Sequence, residues 1–210
     1  LSQFVAALKV CGGHTKVVSQ AATAGGEAAF AIVAPSATGV AKGGSLTVPL
    51  GHYALGAGAE AEPPRLSILE LRDTRGGGGG ITGIWGDSSG VRLYAALDQI
   101  LPPPARFQVV WSRGGAQPLT IWSAVPPTND FVALGMVATA TTSTSARPPL
   151  DVIRCVPKAG VRRAEAGERV YSGVEGSLWR SRHGLLHASK GKHAPQVYEV
   201  AGKAELSLVL

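Results

Sequence analysis

The sequence predicts an all-β protein made of tandem repeats of small antiparallel modules, sandwich-like or barrel-like. Three observations predict it. Glycine (28) and proline (14) are abundant while charged residues are only 16% of the 210, which favours many short elements joined by turns over long helices. The apolar residues, 45% of the chain, are enough for a folded core and fall in short runs rich in β-branched and aromatic side chains. A set of landmarks also recurs in the same order along the chain, the mark of a duplicated unit.

Residues 1–29 read as leading strands or a partial repeat, 30–104 as a first repeat, 105–195 as a second, and 196–210 as strands that complete a sheet or begin a third. Phe30 of "FAIVAP" matches Phe107 of "FQVVWS", and Pro49 matches Pro126. "YALG" from Tyr53 matches "VALG" from Val132, and "EPPRLSILEL" from Glu62 matches "RPPLDVIRCV" from Arg147. "GIWGDSSGVRLYA" from Gly83 matches "SLWRSRHGLLHA" from Ser177, with Trp85 and Trp179 each followed five residues later by a glycine, Gly90 and Gly184. The offset grows from 77 residues at Phe30/Phe107 to 94 at Trp85/Trp179, as loop insertions in a duplicated fold produce.

Within the copies "FQVVW", "LTIW", "FVALGMVATA", "DVIRCV" and "GLLHA" are strand-like runs bounded by turn residues. "PPTND" and "RPP" are turns, because proline fixes φ and Asn or Asp tolerates unusual backbone. "RGGGGG" (75–80) is a loop, and the matching stretch in the second copy holds a helical turn. Trp122 ends an apolar strand, Pro126–Pro127 breaks the ladder, and Gly135 permits close backbone approach or a bulge. The four tryptophans, Trp85, Trp111, Trp122 and Trp179, read as core or corner anchors.

The order of Phe107, Ile121–Trp122, Pro126–Pro127, Phe131 to Val137, Pro148–Pro149, Ile153 to Val156 and Leu178–Trp179 resembles the repeat of the vacuolar-protein-sorting domain family. The same repeat occurs in the adaptor-binding region of chorein-type bridge-like lipid-transfer proteins. The resemblance covers about residues 105–200 well and 30–104 poorly. The chain departs from it at Ser123–Ala124, where a basic residue and Pro often follow the Ile-Trp step, and at Met136, where Asp often follows Leu-Gly. The resemblance implies a β-rich, non-catalytic module that binds adaptor peptides and helps place a larger protein on an organelle membrane. Polar corner residues help in that binding, so Asn129, the only Asn in the chain, forms the expected peptide site together with Asp130 and Trp122. The expected address is cytoplasmic and peripheral to organelle membranes, with a secreted protein as the alternative.

Net charge is +6, with ten Lys/Arg against eight Asp/Glu in residues 1–150 and ten against six in 151–210. Acidic partners are favoured. "WRSRHGLLHASKGKH" (179–193) concentrates Arg180, Arg182, His183, His187, Lys190, Lys192 and His193. Arg180, Arg182, Lys190 and Lys192 are the candidate contacts to anionic lipid headgroups; a solvated hairpin edge is the competing reading. A lectin-like or anionic-lipid-binding module is therefore the second functional expectation. Nucleic acid is not expected, because stacking aromatics are not interleaved with the basic residues.

Two sharper motifs read as structural. "GDSSG" (86–90) fits Gly-x-Ser-x-Gly around Ser88, but no base or orienting carboxylate has a recognisable context, so a hairpin turn is expected. "CGGH" (11–14) could supply half a zinc site with His187 and His193 or Cys155, but zinc takes four ligands, usually as two close pairs, and a turn is expected. No cofactor and no enzymatic activity are expected. No apolar run approaches the ~18 residues of a membrane helix, no signal peptide is read in "LSQFVAALKV", and two cysteines are too few for a disulfide framework, which favours a reducing compartment.

Overall fold

The structure, a computed structural model, describes residues 4–11, 13–22, 28–36, 39–41, 45–56, 66–73, 88–201 and 205–208. The strands are β1 (Phe4–Cys11), β2 (His14–Gln20), β3 (Phe30–Pro35), β4 (Gly39–Ala41), β5 (Ser45–Val48), β6 (Tyr53–Gly56) and β7 (Leu66–Asp73). After the helix α1 (Ser88–Ile100) come β8 (Arg106–Arg113), β9 (Leu119–Val125), β10 (Phe131–Ala133), β11 (Met136–Thr139) and β12 (Cys155–Pro157). The remainder are β13 (Val161–Glu165), β14 (Glu168–Ser172), β15 (Ser177–Arg180), β16 (Leu186–Ser189), β17 (Gln196–Val200) and β18 (Glu205–Leu208). All ladders are antiparallel, and the fold is all-β with one α-helix among the described residues.

One motif occurs three times. β2-β3-β6, β8-β9-β11 and β14-β15-β16 are each three-stranded, with the second strand in the middle. The first strand of each carries a β-bulge at a valine: Val17 between Lys16 and Val18, Val110 between Val109 and Trp111, Val170 between Arg169 and Tyr171. A bulge adds one unpaired residue and increases local twist, so the same bend is built into each meander. The ladders also superpose residue by residue. Ile32 pairs with Ala54, Ile121 with Ala138, and Leu178 with Ala188. All six are buried in one shared cluster with Trp111 and Tyr171, so the three meanders face a common core.

The meanders meet where backbone can approach backbone. Gly51, Gly135 and Gly184 each stand just before the third strand of their meander. The His52 N–H donates to the Met136 carbonyl at 2.9 Å, and the Leu186 N–H donates to the His52 carbonyl at 2.8 Å. A Cβ on Gly135 would lie 2.8 Å from the Leu50 carbonyl oxygen, closer than any side chain tolerates. Gly51 combines a φ of +118° with a hypothetical Cβ 2.9 Å from the Met136 carbonyl, so there glycine serves both backbone shape and space.

A second core lies under the five-stranded sheet β18-β1-β7-β5-β4. The C-terminal β18 pairs with β1, Phe4 opposite Leu208. Glu70, on β7, is only 4% exposed and accepts from Lys9 at 2.8 Å and from Arg72 at 2.5 Å. Helix α1 covers this core with Leu93, Ala96, Leu97 and Ile100, an i, i+3, i+4, i+7 stripe. Pro102–Pro104 follow immediately and stop it, since proline supplies no N–H and clashes with the preceding turn.

Several sequence expectations are corrected here. "SSGVRLYA" is helical, not a hairpin turn, and its match to the β15–β16 hairpin fails because the two segments differ in secondary structure. The landmark partner of Gly135 is Gly51, five residues before Gly56. Trp122 and Trp179 are equivalent to each other and to Val33, all three at the position opposite the residue before the bulge. Phe30 lies on the second strand of its meander and Phe107 on the first, so they are not counterparts. "FVALGMVATA" is two strands broken at Leu134–Gly135, and most of "DVIRCV" is a turn preceding β12. Trp85, the glycine run 76–80 and Gly86–Asp87 lie outside the described residues.

Candidate binding groove

The corner after β9 is built by its own sequence. Leu119–Val125 is a nearly continuous buried run, and Pro126–Pro127 then ends the ladder because neither residue can donate to it. Thr128 holds the turn. Its Oγ1 accepts from the Asp130 N–H at 3.2 Å, and its carbonyl faces the Phe131 N–H at 3.4 Å. The far side is pinned by the Lys158 N–H, which donates to the Asp130 carbonyl at 2.7 Å.

This corner forms one wall of a groove of about 380 Å³, within the range of small-ligand and peptide sites. Asn129, Phe131 and Ala133 line it from the β10 side and Gln196 and Tyr198 from the β17 side; Met136, His187 and Lys158 are also part of the lining. Both sides are sheet edges. Among the described residues β10 pairs only with β12, and β17 only with β13. The Lys158-to-Asp130 bond fixes the β10–β12 hydrogen-bonding alternation, which turns Ala133 and the Phe131 carbonyl away from β12. The Ala166-to-Pro195 and Ala201-to-Gly160 bonds likewise turn the main-chain groups of Gln196, Tyr198 and Val200 away from β13. The groove thus runs between two edges whose outward main-chain groups have no ladder partner among the described residues.

His187 is 4% exposed, and its Nε2 has no hydrogen-bond partner. Burial holds its pKa down at about 4, so the ring is neutral at pH 7. Lys158 is exposed and forms no ion pair among the described residues. No Asp or Glu among the described residues lines the groove.

Of the residues expected to bind peptide, Asn129 is exposed and lines the groove. Asp130 is exposed on the same turn, and its carboxylate accepts from Thr128 Oγ1 at 3.3 Å without lining the groove. Trp122 is corrected to a core residue: it is 2% exposed, packs with Phe107, Val137 and Ile153, and donates Nε1–H to Thr139 Oγ1 at 2.9 Å. It lies mid-strand and offers no surface to a ligand.

The basic segment 179–193 is not one surface. Arg180 and Arg182 line a separate cleft of about 620 Å³ with Ser67, Glu168 and His183. Arg180 is ion-paired to Glu168 there, while Arg182 is exposed and forms no ion pair among the described residues. Burial lowers the pKa of His183, partly opposed by Glu199. Lys190 and Lys192 are exposed on the β16–β17 turn and do not line that cleft, and His187 is buried. Ser88 opens α1, and its side chain is not among those described. The Cys11 thiol donates to the Gly13 carbonyl at 3.0 Å, and Cys155 is a buried free thiol whose pKa burial raises to about 11. Among the described residues no three His, Cys, Asp or Glu side chains gather as a metal site, and no helix is long and apolar enough to cross a membrane.

No family model matches the chain, and no curated protein matches it. Among solved structures, the crystal structure of GNIP1Aa from Chromobacterium piscinae is similar, with a TM-score of 0.58 and 18% identity over 87% of this chain. This chain corresponds to 32% of that protein's length. The likeness is one of fold, a β-rich architecture.

Proposed function

We propose that this chain is a non-catalytic binding module that takes an extended segment of a partner polypeptide in the Asn129 groove. The observation that carries the reading is the pairing of two half-used sheet edges, β10 and β17, along one cavity. An extended peptide added to such an edge gains main-chain hydrogen bonds, and alternate side chains enter the groove. Phe131, Met136 and Tyr198 supply apolar contact, while Asn129 supplies both a donor and an acceptor. Placement of a larger protein on an organelle membrane through an adaptor, as the vacuolar-sorting resemblance implies, is one form of this activity.

The test is selection of random peptides displayed on phage against the immobilised chain, in parallel with Ala133→Trp, which fills the groove, and Asn129→Trp, which covers it from an exposed turn. Peptides enriched by the native chain and lost on both variants support the reading. Equal enrichment on all three, or none, sinks it.

A second reading has its own observation. Arg182 lines the 620 Å³ cleft, exposed and with no ion pair among the described residues, an arrangement suited to an anionic group such as a lipid headgroup or an acidic sugar. Flotation with phosphatidylserine vesicles, compared with neutral vesicles, tests it; flotation unchanged by Arg182→Glu would remove the cleft from consideration.

A further inference from the structure

We infer that the segment the groove accepts is acidic, with a carboxylate seated between Lys158 and Asn129. The inference rests on the groove reading above and names the chemistry of its occupant.

Three features at the groove converge on it. Lys158 is the only charged residue among the described lining, and no carboxylate among the described residues engages its ammonium. Its main chain is fixed by the 2.7 Å bond to Asp130, so the cation projects from a rigid point. The two acidic residues nearest in sequence to the groove walls do not line it. Asp130 accepts from Thr128 Oγ1, and Glu199, next along β17, faces Arg162 at 3.5 Å. The groove therefore presents a positive charge with no carboxylate among its described lining residues.

The second feature is the inventory of hydrogen-bonding groups. A carboxylate is acceptor-only and asks for donors. Lys158 brings three N–H donors and the Asn129 amide two more. The third is His187, 4% exposed with Nε2 unpartnered. A buried polar atom without a partner is costly, and a ligand polar group that reached Nε2 from the groove His187 lines would supply the missing bond. An extended segment provides both contacts at once, since alternate side chains enter the groove while its backbone runs along β17. A basic segment meets Lys158 with like charge, and a wholly apolar one leaves both Lys158 and His187 unsatisfied.

The experiment repeats the phage selection on the native chain, Lys158→Glu and Lys190→Glu, the last an exposed charge reversal on a turn outside the groove. All three exposed-site proteins are first matched by circular dichroism. The expected result is Asp/Glu enrichment on the native chain and on Lys190→Glu, with a switch to Lys/Arg-bearing peptides on Lys158→Glu. A synthesised peptide from the native selection is expected to bind Lys158→Glu about tenfold or more weakly, as loss of a charge-assisted hydrogen bond implies, and to weaken as salt rises. If peptides are enriched but show no acidic bias, and Lys158→Glu selects the same set, the charge assignment is overturned while the groove reading stands. If nothing is enriched beyond Asn129→Trp and Ala133→Trp, the groove reading fails and this inference fails with it.

Discussion

The backbone N–H of Ala138 donates to Nδ1 of His52 at 3.1 Å, joining the first meander to the second through a buried imidazole. The bond requires an unprotonated Nδ1. Burial lowers the His52 pKa to about 4, and it does the same to His187. In the unfolded chain both titrate near 6.5. A depressed pKa means that the unfolded state binds the proton first as acid is added, so stability is full above pH 6.5 and falls as pH drops towards 4. Each histidine is expected to withdraw about 2 kcal/mol between pH 7 and pH 5. Urea titrations at the two pH values check this, with the difference roughly halved in His52→Gln. A stability independent of pH over that window would show that the imidazoles are solvated.

Gly135→Ala is expected to cost about 2–3 kcal/mol, because its Cβ would lie 2.8 Å from the Leu50 carbonyl and backbone cannot move aside cheaply. Gly51→Ala is expected to cost at least as much, since a positive φ adds to the clash with Met136. Gly114→Ala is the control, with nothing within 4 Å of the added methyl. Thermal melts of the three variants rank them, and equal melting temperatures would contradict the tight junction.

How far this arrangement was legible depended on which signals are local. Strand content, the proline corner and the close approach at Gly135 follow from period-2 patterning and turn residues, which act within a few positions. The threefold repetition was hidden because Val33 stands where Trp122 and Trp179 mark the other meanders, and because Leu55–Gly56 imitates the true Leu50–Gly51 landmark. Helix α1 carried its stripe of Leu93, Ala96, Leu97 and Ile100 in plain view, but Ser88, Ser89 and Gly90 resemble a turn. At the groove, Asn129 stood out by its position in a polar corner. His187 and Tyr198 did not, since only tertiary packing brings them to that corner from 58 and 69 residues away.

Trp122 separates stability from binding. Its indole fills a cluster with Phe107, Val137 and Ile153 and satisfies Thr139 through Nε1. Trp122→Ala is expected to destabilise by about 3–5 kcal/mol through the cavity it leaves. Trp122→Phe keeps most of the volume and loses one hydrogen bond, about 1–2 kcal/mol. Peptide affinity of the folded Trp122→Phe protein is expected to match the native value. An affinity loss at unchanged stability would instead bring Trp122 into the site.

The two sets of cations in residues 179–193 are expected to behave independently. Arg182 borders a cleft together with His183 and the Arg180–Glu168 pair, whereas Lys190 and Lys192 stand on the β16–β17 turn. If an anionic group docks in the cleft, Arg182→Glu removes the unpaired cation and Arg180→Ala frees Glu168 to repel the ligand, so each variant alone is expected to lower retention on phosphatidylserine vesicles severalfold, the scale of one charge-assisted contact. Lys190→Glu with Lys192→Glu is expected to change retention only by the long-range charge effect, which 0.5 M salt suppresses because the screening length then falls to about 4 Å. Vesicle flotation at low and high salt distinguishes the two. A retention that tracks net charge, with all the reversals equivalent and all salt-sensitive, means a diffuse basic surface rather than a cleft; a residual binding at high salt that only Arg182 and Arg180 control means a site.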